Sequence, residues 1–303
     1  MPRSPILLAV RGLDPVGTGR QVERLAAGLR APGHDVHVAL TTAGGGIAAR
    51  LVRDGFVVHR PGHRPVSPDL AAAARLVALV RRVRPTALIA CGRSGLPAAA
   101  AVTLASPATR VAVQLAVAPR GRSHAWAVRR PGLVIATTPH VAAACGRLGV
   151  AAARIAVIPP GITAAADLAL DRATVARRLG LDPARRWTLC VTPLDAAAHV
   201  ERLVWAVDQL GVVRRDVQHV VVGTGPQREK LLRRARLQEC AERLVVVPHC
   251  DLLSDLRGHT ALVWQPGAAA HGGAILDGMA RGVPAVAVES DTARQLVVDG
   301  ETG

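Results

Sequence analysis

Short apolar runs alternate with helical patterns along the whole of this 303-residue chain, and that alternation leaves few folds open. Ile6–Val10 is apolar throughout and reads as a buried strand. Gly17-Thr18-Gly19 follows, and then Val22, Leu25, Ala26 and Leu29 recur at helical spacing along one face. Gly33-His34 stops that helix, and Val36–Leu40 resumes as a strand. Further strand candidates are Phe56–His59, Ala87–Ala90, Val111–Leu115, Leu133–Ala136 and Ile155–Ile158. Helical stretches fall between them at 69–84, 95–105 and 140–148. This rhythm predicts a doubly wound α/β sheet of parallel strands.

The rhythm breaks at Pro159-Pro160-Gly161, a hinge candidate, and a second round begins after Leu181-Asp182-Pro183. Its strand candidates are Trp187–Val191, His219–Val222, Leu244–Val247, Ala261–Trp264 and Ala285–Val288. Helices are expected at about 198–210, 226–238, 273–281 and 291–298. Two Rossmann-like domains facing a cleft are therefore expected, over residues 1–165 and 166–303. The last residues, Val298-Asp299-Gly300-Glu301-Thr302-Gly303, read as a helix end and a turn. A further strand is expected there, so the second domain is either short or a fragment.

Composition narrows the function classes. The formal charge of +16 suggests polyanions, but the basic residues are almost all Arg, scattered in pairs over separate predicted elements. Aromatics make up 2% of the chain, too few to interleave with those cations for base stacking, which argues against dedicated nucleic-acid binding. Attraction to phosphorylated or lipid-linked substrates, with peripheral contact at an inner membrane face, is the milder consequence. The five cysteines are odd in number and form no Cys-x-x-Cys pair, which fits a reducing cytoplasm and no zinc site. Ile6–Val10 is too short for a signal peptide, and no apolar run reaches the ~18 residues a membrane span needs.

Several turns carry chemistry. In Gly223-Thr224-Gly225, between a strand and a helix, the glycines let backbone turn tightly and approach a ligand. A plain strand-to-helix turn explains the same residues, and no third glycine completes a dinucleotide fingerprint. Gly17-Thr18-Gly19 is the corresponding turn of the first domain. From Trp264 to Ala287 the chain reads as strand, glycine-containing turn, short helix and strand. Free N–H groups and the positive end of the helix dipole would there favour an anion, usually a phosphate.

These segments resemble the two-domain nucleotide-sugar glycosyltransferases of the glycogen-synthase-like class (GT-B fold, group 1 or family 4). Gly33-His34-Asp35-Val36-His37-Val38 resembles that family's segment after the first helix. Val157-Ile158-Pro159-Pro160-Gly161-Ile162 is similar to its hinge, and Val221-Val222-Gly223-Thr224-Gly225-Pro226 to its Gly-x-Gly-Pro segment. Leu276-Asp277-Gly278-Met279-Ala280 through Pro284 resembles its donor-loop helix, and Asp299-Gly300-Glu301-Thr302-Gly303 its ending. Their order along the chain carries the resemblance.

The resemblance implies a retaining, metal-independent hexosyltransferase with no cofactor beyond a nucleotide-diphosphate sugar as co-substrate. Its donor would lie at Gly17 and Gly19, Gly223 and Gly225, the Pro248–Cys250 segment with His249, and His271, Gly272, Gly273 and Asp277. The acceptor, a sugar, lipid-linked or small molecule, would bind the first domain. Asp277 stands where the family's second donor-loop Glu contacts the ribose. The first such Glu is replaced by Ala269 or Ala270, the basic pair by Pro193 and Ala198, and the first-domain His by Ala116. Two such lost cations remove several kcal/mol of charge stabilisation, on the scale of ~2.7–4 kcal/mol per oxyanion donor. Asp277, His124 and His199 are the catalytic stand-ins, with Arg122 and His140 as outside candidates. The alternative is a catalytically inactive relative that binds a nucleotide sugar or a protein.

Overall fold

The computed structural model describes residues 5–13, 17–41, 46–60, 69–162, 167–248, 250, 252–267 and 272–303. The chain divides into two compact units, Met1–Gly161 and Ile162–Gly303.

In the first unit the strands are β1 (Ile6–Val10), β2 (Val36–Leu40), β3 (Val57–His59), β4 (Ala87–Cys91), β5 (Arg110–Leu115), β6 (Leu133–Ala136) and β7 (Ile155–Val157). Between them run α1 (Thr18–Arg30), α2 (Gly46–Arg53), α3 (Asp69–Val83), α4 (Leu96–Ala105), α5 (Arg122–Ala127) and α6 (Pro139–Arg147). All pairings are parallel, in the order β3-β2-β1-β4-β5-β6-β7. Strand β1 shows why its sequence is apolar at every position. Leu7 and Ala9 enter one core, with Leu76 and Val80 of α3 and Ala99 and Val102 of α4. Leu8 and Val10 enter the other, with Val22 and Ala26 of α1 and Ile47 and Leu51 of α2. Alternate side chains thus bury both faces of one strand.

The second unit holds α7 (Arg172–Leu179), β8 (Arg186–Val191), α8 (Val200–Val213), β9 (Val217–Val222), α9 (Arg228–Leu237), β10 (Leu244–Val247), α10 (Leu253–Gly258), β11 (Thr260–Gln265), α11 (Gly273–Met279), β12 (Ala285–Ala287) and α12 (Asp291–Leu296). Its strands are again all parallel, ordered β10-β9-β8-β11-β12. Leu203, Val204 and Val207 of α8 pack on Cys190 and Val221, while Ile275 of α11 packs on Val263 and Ala285. After α12 the backbone returns to the sheet, where the Ala285 amide donates to the Thr302 carbonyl at 3.1 Å. Both units therefore have the expected doubly wound parallel architecture.

The helices α2, α5, α7 and α10 were not expected from apolar spacing. Helix α7 owes its ends to local chemistry. The Asp171 carboxylate caps it by accepting from the Thr174 amide at 2.8 Å, and Gly180 closes it in the left-handed region. Among the described residues, no helix is long and apolar enough to cross a membrane.

Candidate functional site

In each sheet the strand order reverses once, between β1 and β4 in the first unit and between β8 and β11 in the second. Carboxyl ends of strands at such a reversal are where open α/β sheets bind ligands. In the first unit Gly17 precedes α1 with φ 58° and ψ −127°, and Gly19 is buried in the first helical turn. A Cβ on Gly92, just past β4, would lie 3.6 Å from the Thr18 methyl carbon, so this turn stands at the reversal.

In the second unit Thr192–Leu194 leaves β8 and Gly223–Gly225 leaves the adjacent β9. The Leu194 amide donates to the Thr224 carbonyl at 2.8 Å, and the Gln227 amide to the Leu194 carbonyl at 2.9 Å. A Cβ on Gly223 would collide with the Thr192 carbonyl oxygen, and one on Gly225 with that of Leu194. Both glycines thus have an internal reason to be glycine: two connections approach backbone to backbone.

Gly272 caps α11 in the left-handed region (φ 61°) with no side-chain hydrogen bond, and Gly273 opens the helix. A Cβ on Gly272 would strike Leu296 and come within 3.0 Å of the Thr292 methyl carbon, both on α12. His249 and His271 lie outside the described residues.

Asp277 has a partner that no sequence motif announced. It is 8% exposed, and its Oδ2 lies 3.0 Å from Nη2 of Arg257, itself 6% exposed. The carboxylate expected to face a ribose forms a buried ion pair with α10. No motif flagged Arg257. It lies twenty residues upstream on a helix too short to show periodicity, and only the fold brings it to Asp277.

His199 is also partly committed. It precedes α8 with φ 49°, and its ring Nδ1 lies 3.1 Å from Glu201 Oε1. Burial raises the Glu201 pKa, but its own backbone amide and the His199 ring outweigh that and hold it below the usual carboxylate range. The preceding turn is capped by Asp195, whose Oδ1 accepts from the Ala198 amide at 3.0 Å. Where the resemblance places two cations, Pro193 is exposed and Ala198 buried, with carboxylates at 195 and 201 on either side.

In the first unit His124 sits on α5, where its Nδ1 donates to the Arg120 carbonyl at 2.8 Å. Ala116, at the place of the family His, is 5% exposed. A cavity of about 430 Å³ also opens in the second unit, beside Trp205 of α8, Trp264 of β11 and Val286 of β12, and among the described residues none of the expected donor residues lines it. Among the described residues, no three His, Cys, Asp or Glu side chains converge in a way that could hold a metal ion.

Residues 15–165 match the family model for Glycosyltransferase Family 4, and residues 185–303 that for Glycosyl transferases group 1. Among solved structures, HepE of Anabaena, in complex with UDP and glucose, superposes with a TM-score of 0.82 at 19% identity, over 98% of this chain and 84% of that one. Sucrose-phosphate synthase from Thermosynechococcus elongatus gives 0.76 at 17%, over 99% and 85%. WaaG, a glycosyltransferase involved in lipopolysaccharide biosynthesis, gives 0.72 at 15%, over 92% and 80%. At these identities the likeness concerns the fold. No curated protein matches the sequence.

Proposed function

The chain belongs to the group 1 and family 4 glycosyltransferases, and from that premise we propose that it moves a hexosyl group from a nucleoside-diphosphate sugar to an acceptor. The observation that carries this reading is the position of Gly223–Gly225, at the carboxyl end of β9 beside the strand reversal of the second sheet. Exposed backbone at Thr224 and Gly225 can approach a diphosphate closely, with the first amides of α11, which have no partner within the helix, as a second contact. HepE, captured with UDP and glucose, supports a nucleotide sugar as the donor class. The first unit would take the acceptor. Transfer would retain the anomeric configuration and need no metal, with helix termini in place of a cation.

A second reading is favoured by Pro193, Ala198 and the Arg257–Asp277 pair: a relative that binds the nucleotide sugar without turning it over. Calorimetric titration with UDP and GDP tests what both readings share. Binding tighter than about 1 mM, or ~4 kcal/mol, is expected for one of them; no heat with either overturns both. Release of hexose from the matching donor, undiminished by EDTA, is expected of the enzyme. Binding without release would establish the second reading.

A further inference from the structure

Helix α10 is the best anchored short element of the second unit. Asp255, 8% exposed, accepts at Oδ1 from the Ala169 and Leu170 amides at 2.7 and 3.2 Å. His259, at its end, donates from Nε2 to the Leu170 carbonyl at 3.0 Å. Leu168 presses on Gly258 so closely that a Cβ there would strike its side chain. Helix α11 is held by apolar packing, with Ile275 on Val263 and Ala285 and Gly278 against Val263. It has seven residues and no side-chain cap, and a helix that short does not hold itself. Among the described residues, two polar ties join α11 and the turn after it to α10. Arg257 meets Asp277 at 3.0 Å inside, and Arg281 Nη2 donates to Ser254 Oγ at 2.8 Å outside. A buried ion pair is a poor device for stability, because an apolar pair of similar volume stabilises as well or better. It is directional, however, and fixes one helix relative to another.

We propose that Arg257 is a positioning residue for donor binding: through Asp277 it sets α11, and so Gly272 and Gly273, relative to α10. The inference rests on the donor reading above and changes one part of it. Asp277 acts inward, on Arg257, and not on the nucleotide.

The test compares three variants by their dissociation constant for UDP or GDP, whichever the unaltered chain binds, well below the thermal midpoint of each variant. Arg257→Met is expected to weaken binding about tenfold or more in protein that is still folded. Asp277→Asn, which keeps an oxygen for Arg257, should change it by less than about threefold. The double variant Arg257→Met/Asp277→Leu removes both charges and should return to within about threefold of the unaltered chain. If Arg257→Met fails to fold, the other two variants decide.

A double variant as weak as about tenfold, or an Asp277→Asn variant that loses about tenfold at an unchanged thermal midpoint, means that Asp277 touches the ligand and overturns the proposal. Folded Arg257→Met with an unchanged dissociation constant overturns it too, leaving the pair a stability element alone. Failure of the unaltered chain to bind either nucleotide sinks the donor reading first, and the positioning role with it.

Discussion

Acid should unfold the second unit in part through one histidine. His219 lies in the middle of β9, 2% exposed, with its Nδ1 2.6 Å from the hydroxyl of Thr188, its register partner on β8. The Trp264 ring stands edge-on to it at 5.9 Å. Burial first, and the positive charge of Arg243 second, push its pKa from the ordinary 6.5 down to about 4. The folded protein therefore keeps the ring neutral over a range in which the unfolded chain protonates it. Stability from this group is complete above pH 6.5 and is lost as the pH falls from there toward 4, because the unfolded state then binds the extra proton. At ~1.4 kcal/mol per pH unit the loss is ~2 kcal/mol by pH 5 and ~3 kcal/mol by pH 4. Urea unfolding followed by Trp fluorescence between pH 7.5 and 4.5 measures it, with His219→Gln as the reference. Glutamine preserves a partner for Thr188 and carries no titrating proton, so the other histidines cancel in the difference between the two proteins. The stability advantage of the unaltered chain over His219→Gln should shrink by the stated amount as the solution is acidified. A difference that stays level, or widens toward acid, refutes the reasoning.

Gly223→Ala drives a Cβ into the Thr192 carbonyl oxygen, which is backbone and cannot swing away. A loss of ~1–3 kcal/mol in urea unfolding is expected, together with weaker UDP or GDP binding in titration. Arg172 donates to the carbonyls of Pro183, His259 and Arg185 at 3.0, 2.8 and 2.5 Å while lying 3.8 Å over the Trp187 ring. Lysine keeps the charge and loses the fork, so Arg172→Lys should lower stability by ~2 kcal/mol in the same assay. Cys91, Cys145, Cys190, Cys240 and Cys250 are all buried, and burial raises the thiol pKa of Cys91 and Cys190 to about 12 and that of Cys145 to about 11. Iodoacetamide at pH 8 should leave the native thiols unmodified on a timescale that labels all of them in urea, as mass spectrometry would read.

The fold was legible because a doubly wound sheet writes itself into sequence as uninterrupted apolar runs. Leu7 and Leu8 serve opposite cores, so neither position tolerates polarity, and the same constraint marks Val220, Val221 and Val222 of β9. Helices α5 and α10, of six residues each, carry too little apolar period to stand out, whereas α11 lies inside a segment that the family resemblance marks. Helix α10 has six residues, and three of them, Asp255, Leu256 and Arg257, are buried, two of those charged. A buried charge looks like a surface charge until its partner is known. The same blindness applies to the site. Gly223 and Gly225 can be found from sequence because a close backbone approach admits one residue type, although the approach here is to Thr192 and Leu194 as well as to any ligand.

Asp277 could be placed by its motif, but its ion pair with Arg257 could not be read from sequence, since that partner comes from another helix. The erosion at 193 and 198 gains meaning in the same way. A loop that lost its cations could have replaced them with neighbours. Instead Asp195 spends its carboxylate capping the turn at Ala198, and His199 is matched by Glu201. The Gly223 amide donates to the Val247 carbonyl at 2.9 Å, so positive potential for a diphosphate in this unit would then come chiefly from backbone amides at Thr224–Gly225 and at the start of α11. An amide brings only a partial dipole to the charge that grows on a leaving group, whereas an Arg or Lys brings a full positive charge. Binding should therefore survive in this chain better than turnover, and donor hydrolysis relative to nucleotide affinity is the quantity in which that difference appears.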